Sequence, residues 1–235
     1  MNKKISKEHS LSRKLRRQKY AAPSQAFRYG CHEVFNILKE VKKLGVTDAT
    51  FDHLLKTNVI YLVTLFEVYF RDILAVIFEF CVVESYDLKL DKLHERKYKI
   101  SEVVRFSSGE ANPLDIVVNS INFQSWNAVE EVFSLLLSVK SFKHEAKQVQ
   151  WTISEEMPSA DTQGIQLQDE DFLKLERLFA IRHALVHDPN PNLELTEDEI
   201  IYDLLLAASS VVICCNTCLT SFIELNLKTG AVMRA

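Results

Sequence analysis

The segment from about Asp48 to Val83 constrains the fold more than any other part of the chain. Its second half is apolar on nearly every face of a helix, through Ile60, Leu62, Leu65, Phe66, Tyr69, Phe70, Ile73, Leu74, Ile77 and Phe78. A helix of this kind must be buried, either at the centre of a core or in an oligomer interface. Its charged residues argue against a membrane span; these are Glu67, Arg71, Asp72 and Glu79. The sequence therefore predicts a long central helix with other elements packed around it.

Composition favours helices for the rest of the chain as well. Only five glycines and five prolines occur in 235 residues, whereas all-β proteins need many turn residues. With 47% apolar residues, the chain can bury one sizeable core. We therefore predict an all-α protein, an up-and-down helical bundle, with an irregular insertion at about 84–168.

Four more helices follow from apolar residues spaced three and four apart and from end signals. They are expected from about Ser24 to Leu44, from Ser125 to about Val139, from the N-cap Asp169 to His187, and from Thr196 to about Leu225. Gly45 is a helix stop, and Thr196 forms a capping box with Glu199. The segment 188–192 holds two prolines and must be a turn.

Charge divides the chain into a basic arm, residues 1–22, and an acidic helical domain, residues 23–228. The first 20 residues contain eight of the 28 basic residues and one of the 32 acidic residues. The rest of the chain therefore has 20 basic and 31 acidic residues, a net charge of −11. Such an arm can hold phosphate backbones, a membrane surface or an acidic partner. It can equally be a solvated terminus, because no aromatic residue suited to base stacking precedes Tyr20.

Cysteine usage and hydropathy indicate a cytoplasmic protein without a membrane anchor. The five cysteines lack the spacing of a disulfide framework, and no signal peptide is apparent. Cys214, Cys215 and Cys218 have no second Cys or His pair at zinc-finger spacing, so we expect small core residues rather than a metal site. Residues 204–223 carry no charge and are long enough to cross a bilayer, but their six Ser, Thr and Asn side chains favour a buried core helix.

Arg182 is the most informative residue in the sequence. On a helical wheel of residues 169–187 it falls in the middle of an apolar arc formed by Leu175, Leu178, Phe179, Leu185 and Val186. A guanidinium cannot lose its proton, so its burial requires an acidic or phosphate partner. The position predicts either an internal ion pair or a site for a visiting anion.

His183 and His187 lie at the edge of the same arc, one turn apart. His187 also ends the helix, where the helix dipole favours a cationic side chain. An imidazole beside a fixed guanidinium suits chemistry on a phosphodiester. One group can move protons while the other stabilises the charge that develops on the phosphate.

Arg182 and His187 form an Arg-x4-His motif with a polar residue, His183, directly after the arginine. The motif ends a helix, precedes a polar turn and leads into a final apolar helix. In these respects the chain resembles the HEPN superfamily, and most of all its RiboL-PSP-type members, over roughly residues 48–225. HEPN domains are small and all-α, and many are metal-independent RNases of toxin–antitoxin, abortive-infection or CRISPR-linked defence systems. Some carry a tyrosine, two residues after the histidine, that a partner nucleotidyltransferase modifies; Pro189 stands there in this chain, so this neutralisation is not expected.

The resemblance implies a role for each residue of the motif. Arg182 would bind and polarise the scissile phosphate, and His187 would be the general acid or base for attack by a ribose 2′-hydroxyl. His183 would orient the site, and Glu67, with Asp72 as second candidate, would be the acidic partner from the early helix. The resemblance further implies a homodimer that cleaves RNA without a metal or other cofactor and has an antitoxin or defence-system partner.

Other interpretations of these residues stay open. Arg182 could pair with Glu67 or another core acid and hold two helices in register. Glu67 could also form only an i,i+4 pair with Arg71 on a solvated strip. His183 and His187 resemble half of a helical metal site, although the glutamate of the zincin motif is absent. The domain could also be a non-catalytic module that binds RNA, a nucleotide or a partner protein.

Overall fold

Seven α-helices make up the part of the chain that the computed structural model describes, and no β-strand occurs in that part. They are α1 (Ala22–Lys43), α2 (Asp48–Phe80), α3 (Pro113–Ser120), α4 (Trp126–Leu137), α5 (Phe142–Gln148), α6 (Asp169–His187) and α7 (Leu206–Leu225), with a π-helical segment (Glu199–Leu205) that leads into α7. The described residues are 22–82, 113–150, 166–188, 191 and 193–228. The predicted basic arm apart from Ala22, parts of the insertion and most of the 188–192 turn lie outside them. The predicted all-α class is confirmed.

α2 is the central helix that the sequence predicts. Phe66, Phe70 and Ile73 are completely buried in it. α1 packs against α2 so closely that a Cβ on Gly30 would overlap the side chain of Leu65. The two helices form a hairpin, because α1 ends before Gly45, which has a positive φ of 62° and is the predicted helix stop.

α2 ends at Phe80, three residues before the predicted end at Val83. The chain leaves the helix there because residues 80–82 pair with residues 226–228 through backbone hydrogen bonds of 2.7 and 2.8 Å. A pairing between such distant segments leaves no periodic signal in the sequence. It also brings the C-terminal ends of α2 and α7 together, so these two helices run side by side in the same direction.

Three short helices, α3 to α5, occupy the described part of the predicted insertion and contribute to the main core. The rings of Phe70 in α2 and Phe133 in α4 have centroids 5.5 Å apart, and those of Trp126 in α4 and Phe172 in α6 are 4.6 Å apart. α4 begins where the predicted helix does, and Ser125 caps it by accepting a hydrogen bond from a backbone N–H of its first turn. α5 was not predicted, because its seven residues contain too few apolar positions to show a helical period.

α7 is a core helix, as predicted for residues 204–223. Among the described residues, Glu199–Leu225 is the one helical stretch with the length and hydropathy to cross a bilayer, at a mean hydropathy of 1.8. α7 nevertheless packs against α1, α2, α5 and α6. Cys214 and Cys215 are completely buried there, which confirms that they are core residues, while Cys218 is partly exposed.

Candidate active site

α6 carries three of the four predicted site residues, and its start differs from the prediction. The N-cap is Gln168 and not Asp169; the backbone N–H of Gln168 donates to the carboxylate of Asp171 at 2.8 Å. Asp169 is instead the first helical residue and lies 2.9 Å from both Lys143 and Lys147 of α5. Hydrogen bonds from Lys143 and then Lys147 lower the pKa of Asp169 to about 2. The beginning of α6 is therefore tied electrostatically to α5.

The middle of α6 packs between α2 and α7. The ring of Phe179 meets that of Phe66 edge-on, with centroids 5.2 Å apart. Ile181 lies outside the predicted apolar arc but is buried, because α6 contacts neighbours on two sides. Val186, which we predicted on the buried face, is 48% exposed, so that prediction is wrong. The last turn of α6 is therefore exposed at Val186 and His187, while Leu185 still packs against the core.

Two ion pairs fix α6 to the π-helical segment that follows the motif. Arg177 pairs with Glu199, and Lys174 Nζ lies 3.3 Å from the Asp203 carboxylate. Thr196 caps the start of this helical stretch, because its Oγ1 accepts a hydrogen bond from Glu199 N at 3.1 Å, as predicted. The π-helical geometry was not predicted, since an i→i+5 pattern over seven residues is hard to separate from an α-helical one. Such segments occur frequently at functional sites.

Arg182 lies about one turn beyond Phe179 and is partly buried. Its Nε is fully buried and has no hydrogen-bond partner. None of the ion pairs among the described residues involves Arg182, so the internal pair with Glu67 that the sequence left open is not formed. A guanidinium that is partly withdrawn from water without a carboxylate retains its capacity to bind an anion.

His183 and His187 lie close together at the solvent-exposed end of α6. Their ring centroids are 4.3 Å apart, and the ring planes are inclined by 48°. Both side chains are exposed. The helix persists to His187, because the N–H of Asp188 still donates to the Ala184 carbonyl at 2.9 Å. Two imidazoles are therefore accessible to a ligand within one turn of Arg182.

Glu67 is engaged by other residues. It forms an ion pair with Arg71, and its Oε2 accepts a hydrogen bond from Gln124 Nε2 at 3.0 Å. The side chains of Glu67 and Arg71 are each 16% exposed, so the pair is largely buried and does not form a solvated strip. Gln124 was missed by the sequence analysis. It lies in the loop between α3 and α4, where no helical period marks it.

The structure brings Glu67 and Arg182 to the same helix–helix contact but not to each other. Glu67 directly follows Phe66, and Arg182 comes three residues after Phe179, whose ring touches that of Phe66. Each charged residue therefore lies within about one helical turn of this contact. Asp72, the second acidic candidate, is buried further along α2, at 2% exposure.

A family model described as RiboL-PSP-HEPN matches residues 27–220. This chain belongs to the RiboL-PSP-HEPN family. The match extends from α1 nearly to the end of α7 and includes all four predicted site residues, Glu67, Arg182, His183 and His187. No curated protein and no solved structure matches the chain. The membership predicted from the Arg-x4-His motif is thereby confirmed, and the chain is a HEPN-type module.

Among residues 22–82, 113–150, 166–188 and 193–228, no group of three or more His, Cys, Asp or Glu side chains has an arrangement that could hold a metal ion. The cysteines in α7 are also poor metal ligands because a metal binds the deprotonated thiolate. Burial raises the pKa of Cys214 to about 11, so its thiol stays protonated near neutral pH.

Proposed function

We propose that this HEPN protein is a metal-independent endoribonuclease that acts in the cytoplasm as a toxin or defence effector. The supporting observation is the surroundings of Arg182. Its guanidinium is partly buried without a carboxylate and directly precedes a pair of exposed imidazoles. A phosphodiester is the anion whose chemistry needs both a fixed positive charge and a group that moves protons.

In the proposed reaction, a ribose 2′-oxygen attacks the adjacent phosphorus atom and the bond from phosphorus to the 5′-oxygen breaks. Arg182 binds the non-bridging oxygens and stabilises the charge that develops on them. His187 transfers a proton, either from the attacking hydroxyl or to the leaving 5′-oxygen. The products are a 2′,3′-cyclic phosphate and a 5′-hydroxyl, so no metal-activated water is required.

We assign the remaining two residues supporting roles in this reaction. His183, whose ring centroid lies 4.3 Å from that of His187, orients the phosphate or the neighbouring imidazole. Glu67 is assigned a positioning role on α2, since it pairs with Arg71, accepts a hydrogen bond from Gln124 and forms no ion pair with Arg182. We further propose a homodimer in which two such motifs line one RNA-binding cleft, with an antitoxin or another defence component as the restraining partner.

RNA cleavage in the presence of EDTA tests this proposal. We expect the untagged protein to cut single-stranded RNA without added metal, and we expect Arg182→Ala and His187→Ala each to lower the rate by about 10²-fold or more. His32→Ala is the matched control, because His32 is an exposed helical histidine on α1 that bonds to Asn36. A metal requirement, or full activity in both variants, would refute the assignment.

A non-catalytic HEPN module is the second candidate. The observation that favours it is the engagement of Glu67 by Arg71 and Gln124, which leaves Arg182 without a neighbouring acid. This candidate predicts that RNA or a nucleotide binds without turnover and that cells overproducing the protein grow normally. Growth arrest that His187→Ala relieves would exclude it.

A further inference from the structure

The exposed histidine pair at the end of α6 has the geometry of a two-ligand metal site. His183 and His187 are four residues apart, so both project from one face of the helix. With ring centroids 4.3 Å apart, the imidazoles are close enough to share one ion. Tetrahedral zinc with bonds of about 2.0–2.1 Å places two ligand nitrogens about 3.3 Å apart. Because both side chains are exposed, the rings can rotate to this separation without disturbing the core.

We propose that His183 and His187 together bind one Zn²⁺ ion and that the bound ion inhibits the nuclease. The binding site stands on the geometry alone; the inhibitory effect rests on the proposed function. Imidazole is a favoured ligand of zinc and of its neighbours copper and nickel. Since the protein supplies two ligands, water completes the coordination shell and the ion remains exchangeable. A coordinated His187 nitrogen has no lone pair left to accept a proton.

Few other groups in the described part of the chain compete for the ion. Burial raises the pKa of Cys31, Cys81 and Cys214 to about 11, so these thiols do not offer thiolate ligands near neutral pH. No other two of the seven histidines lie within four residues of each other in the sequence. His32 again provides the matched comparison, because an asparagine, Asn36, occupies the position four residues on.

Calorimetric titration of the untagged full-length protein with ZnCl₂, in the absence of RNA, tests the site. We expect one equivalent to bind, and we expect His183→Ala and His187→Ala each to weaken the affinity at least ~10-fold, since loss of an outer-shell partner alone typically costs that much. His32→Ala should bind zinc as the unaltered protein does. Absence of binding, or an affinity in both motif variants equal to that of the unaltered protein, would overturn the site. Circular dichroism of each variant verifies that the fold is retained.

Cleavage assays with and without zinc test the inhibitory effect separately. We expect zinc at saturating concentration to abolish RNA cleavage and EDTA to restore it. Cleavage that continues when the pair is saturated would overturn the inhibition. The two proposals fail in different ways. If the histidine pair binds zinc but the protein cuts no RNA under any condition, the zinc site is supported and the nuclease proposal is refuted.

Discussion

Two arginines of this chain, Arg71 and Arg182, differ in what balances their charge. Arg71 lies on α2 and forms an ion pair with Glu67, largely shielded from solvent. Arg182 lies on α6, is partly buried, and has no carboxylate partner among the described residues. A structural arginine contributes to stability through its partner, whereas an unpaired one lowers stability unless an anion arrives. The Nε of each is buried without a hydrogen-bond partner, so the ion pair with Glu67 is what distinguishes them, and this difference is why we propose Arg182 as the anion-binding residue.

The stability of two matched variants checks this distinction. Methionine preserves the aliphatic contacts of an arginine and removes its charge. We expect Arg182→Met to leave the free energy of unfolding unchanged or increased, because an uncompensated charge leaves the partly buried face. We expect Arg71→Met to lower it by about 1–3 kcal/mol, because Glu67 then loses its cation. Urea denaturation followed by circular dichroism measures both. Equal destabilisation by the two changes would mean that Arg182 has a structural partner.

At the scale of elements, α6 is held at its start and middle by charges and at its centre by packing. Asp169 joins it to α5, and the pairs Arg177–Glu199 and Lys174–Asp203 join it to the π-helical segment. In the last turn Leu185 packs against the core, whereas the side chains of His183 and His187 are exposed. The helix is therefore anchored along its length while the two imidazoles remain accessible.

The pKa of Asp169 provides a test at this scale. Lys143 and Lys147 lower it from 3.8 in the unfolded chain to about 2 in the folded one. A lowered carboxyl pKa stabilises the fold above pH 3.8, and the contribution is lost as the pH falls toward 2. We therefore expect Asp169→Asn to reduce the melting temperature at pH 5 slightly, with a difference that shrinks below pH 3.8. The site is exposed, so added salt should also reduce the difference.

Carboxyl NMR can assign this effect to its source. The Asp169 resonance should titrate below pH 3.8 in the unaltered protein. The midpoint should rise in Lys143→Ala and less in Lys147→Ala, because Lys143 contributes the larger effect. A midpoint that neither variant moves would show that these lysines do not contact Asp169 in solution.

For the whole molecule, the charge distribution has to be reconciled with the RNA substrate that we propose. Outside its first 20 residues the chain has a net charge of −11, which repels a polyanion. The basic arm, which lies outside the described residues, supplies eight positive charges within those 20 residues. We infer that the arm gives RNA its general affinity, whereas Arg182 gives the reacting phosphate its position.

Removal of residues 1–21 tests this division. We expect the shortened protein to bind RNA more weakly at low salt and with a shallower salt dependence, by about 0.7 in the log–log slope for each lost phosphate contact. A second variant keeps the length of the arm and replaces its eight lysines and arginines with glutamine, which separates the effect of charge from the effect of length. Fluorescence anisotropy with labelled RNA at several salt concentrations provides the measurement. An unchanged slope in both proteins would show that the arm does not contact phosphate.

Much of the helical architecture could be predicted from local sequence. The apolar surface of α2, the stop at Gly45, the cap at Thr196 and the run of α6 to His187 all follow from spacing and residue type. These features depend on interactions between residues a few positions apart in the sequence. The spacing of apolar and capping residues reveals such local interactions. The Arg-x4-His motif was visible for the same reason, since its members share one helix.

Tertiary structure decided what no local pattern contains. The end of α2 depends on pairing with residues 226–228, and Glu67 accepts a hydrogen bond from Gln124, which is 57 residues away in the sequence. The burial of Ile181 and the exposure of Val186 depend on which helices pack against α6, and the apolar pattern within α6 does not predict them. The sequence by itself determined which residues can carry charge and chemistry on each helix. Only the packed fold decided which charges neutralise one another and which, like that of Arg182, have no carboxylate partner among the described residues, because burial and pairing are properties of neighbours in space.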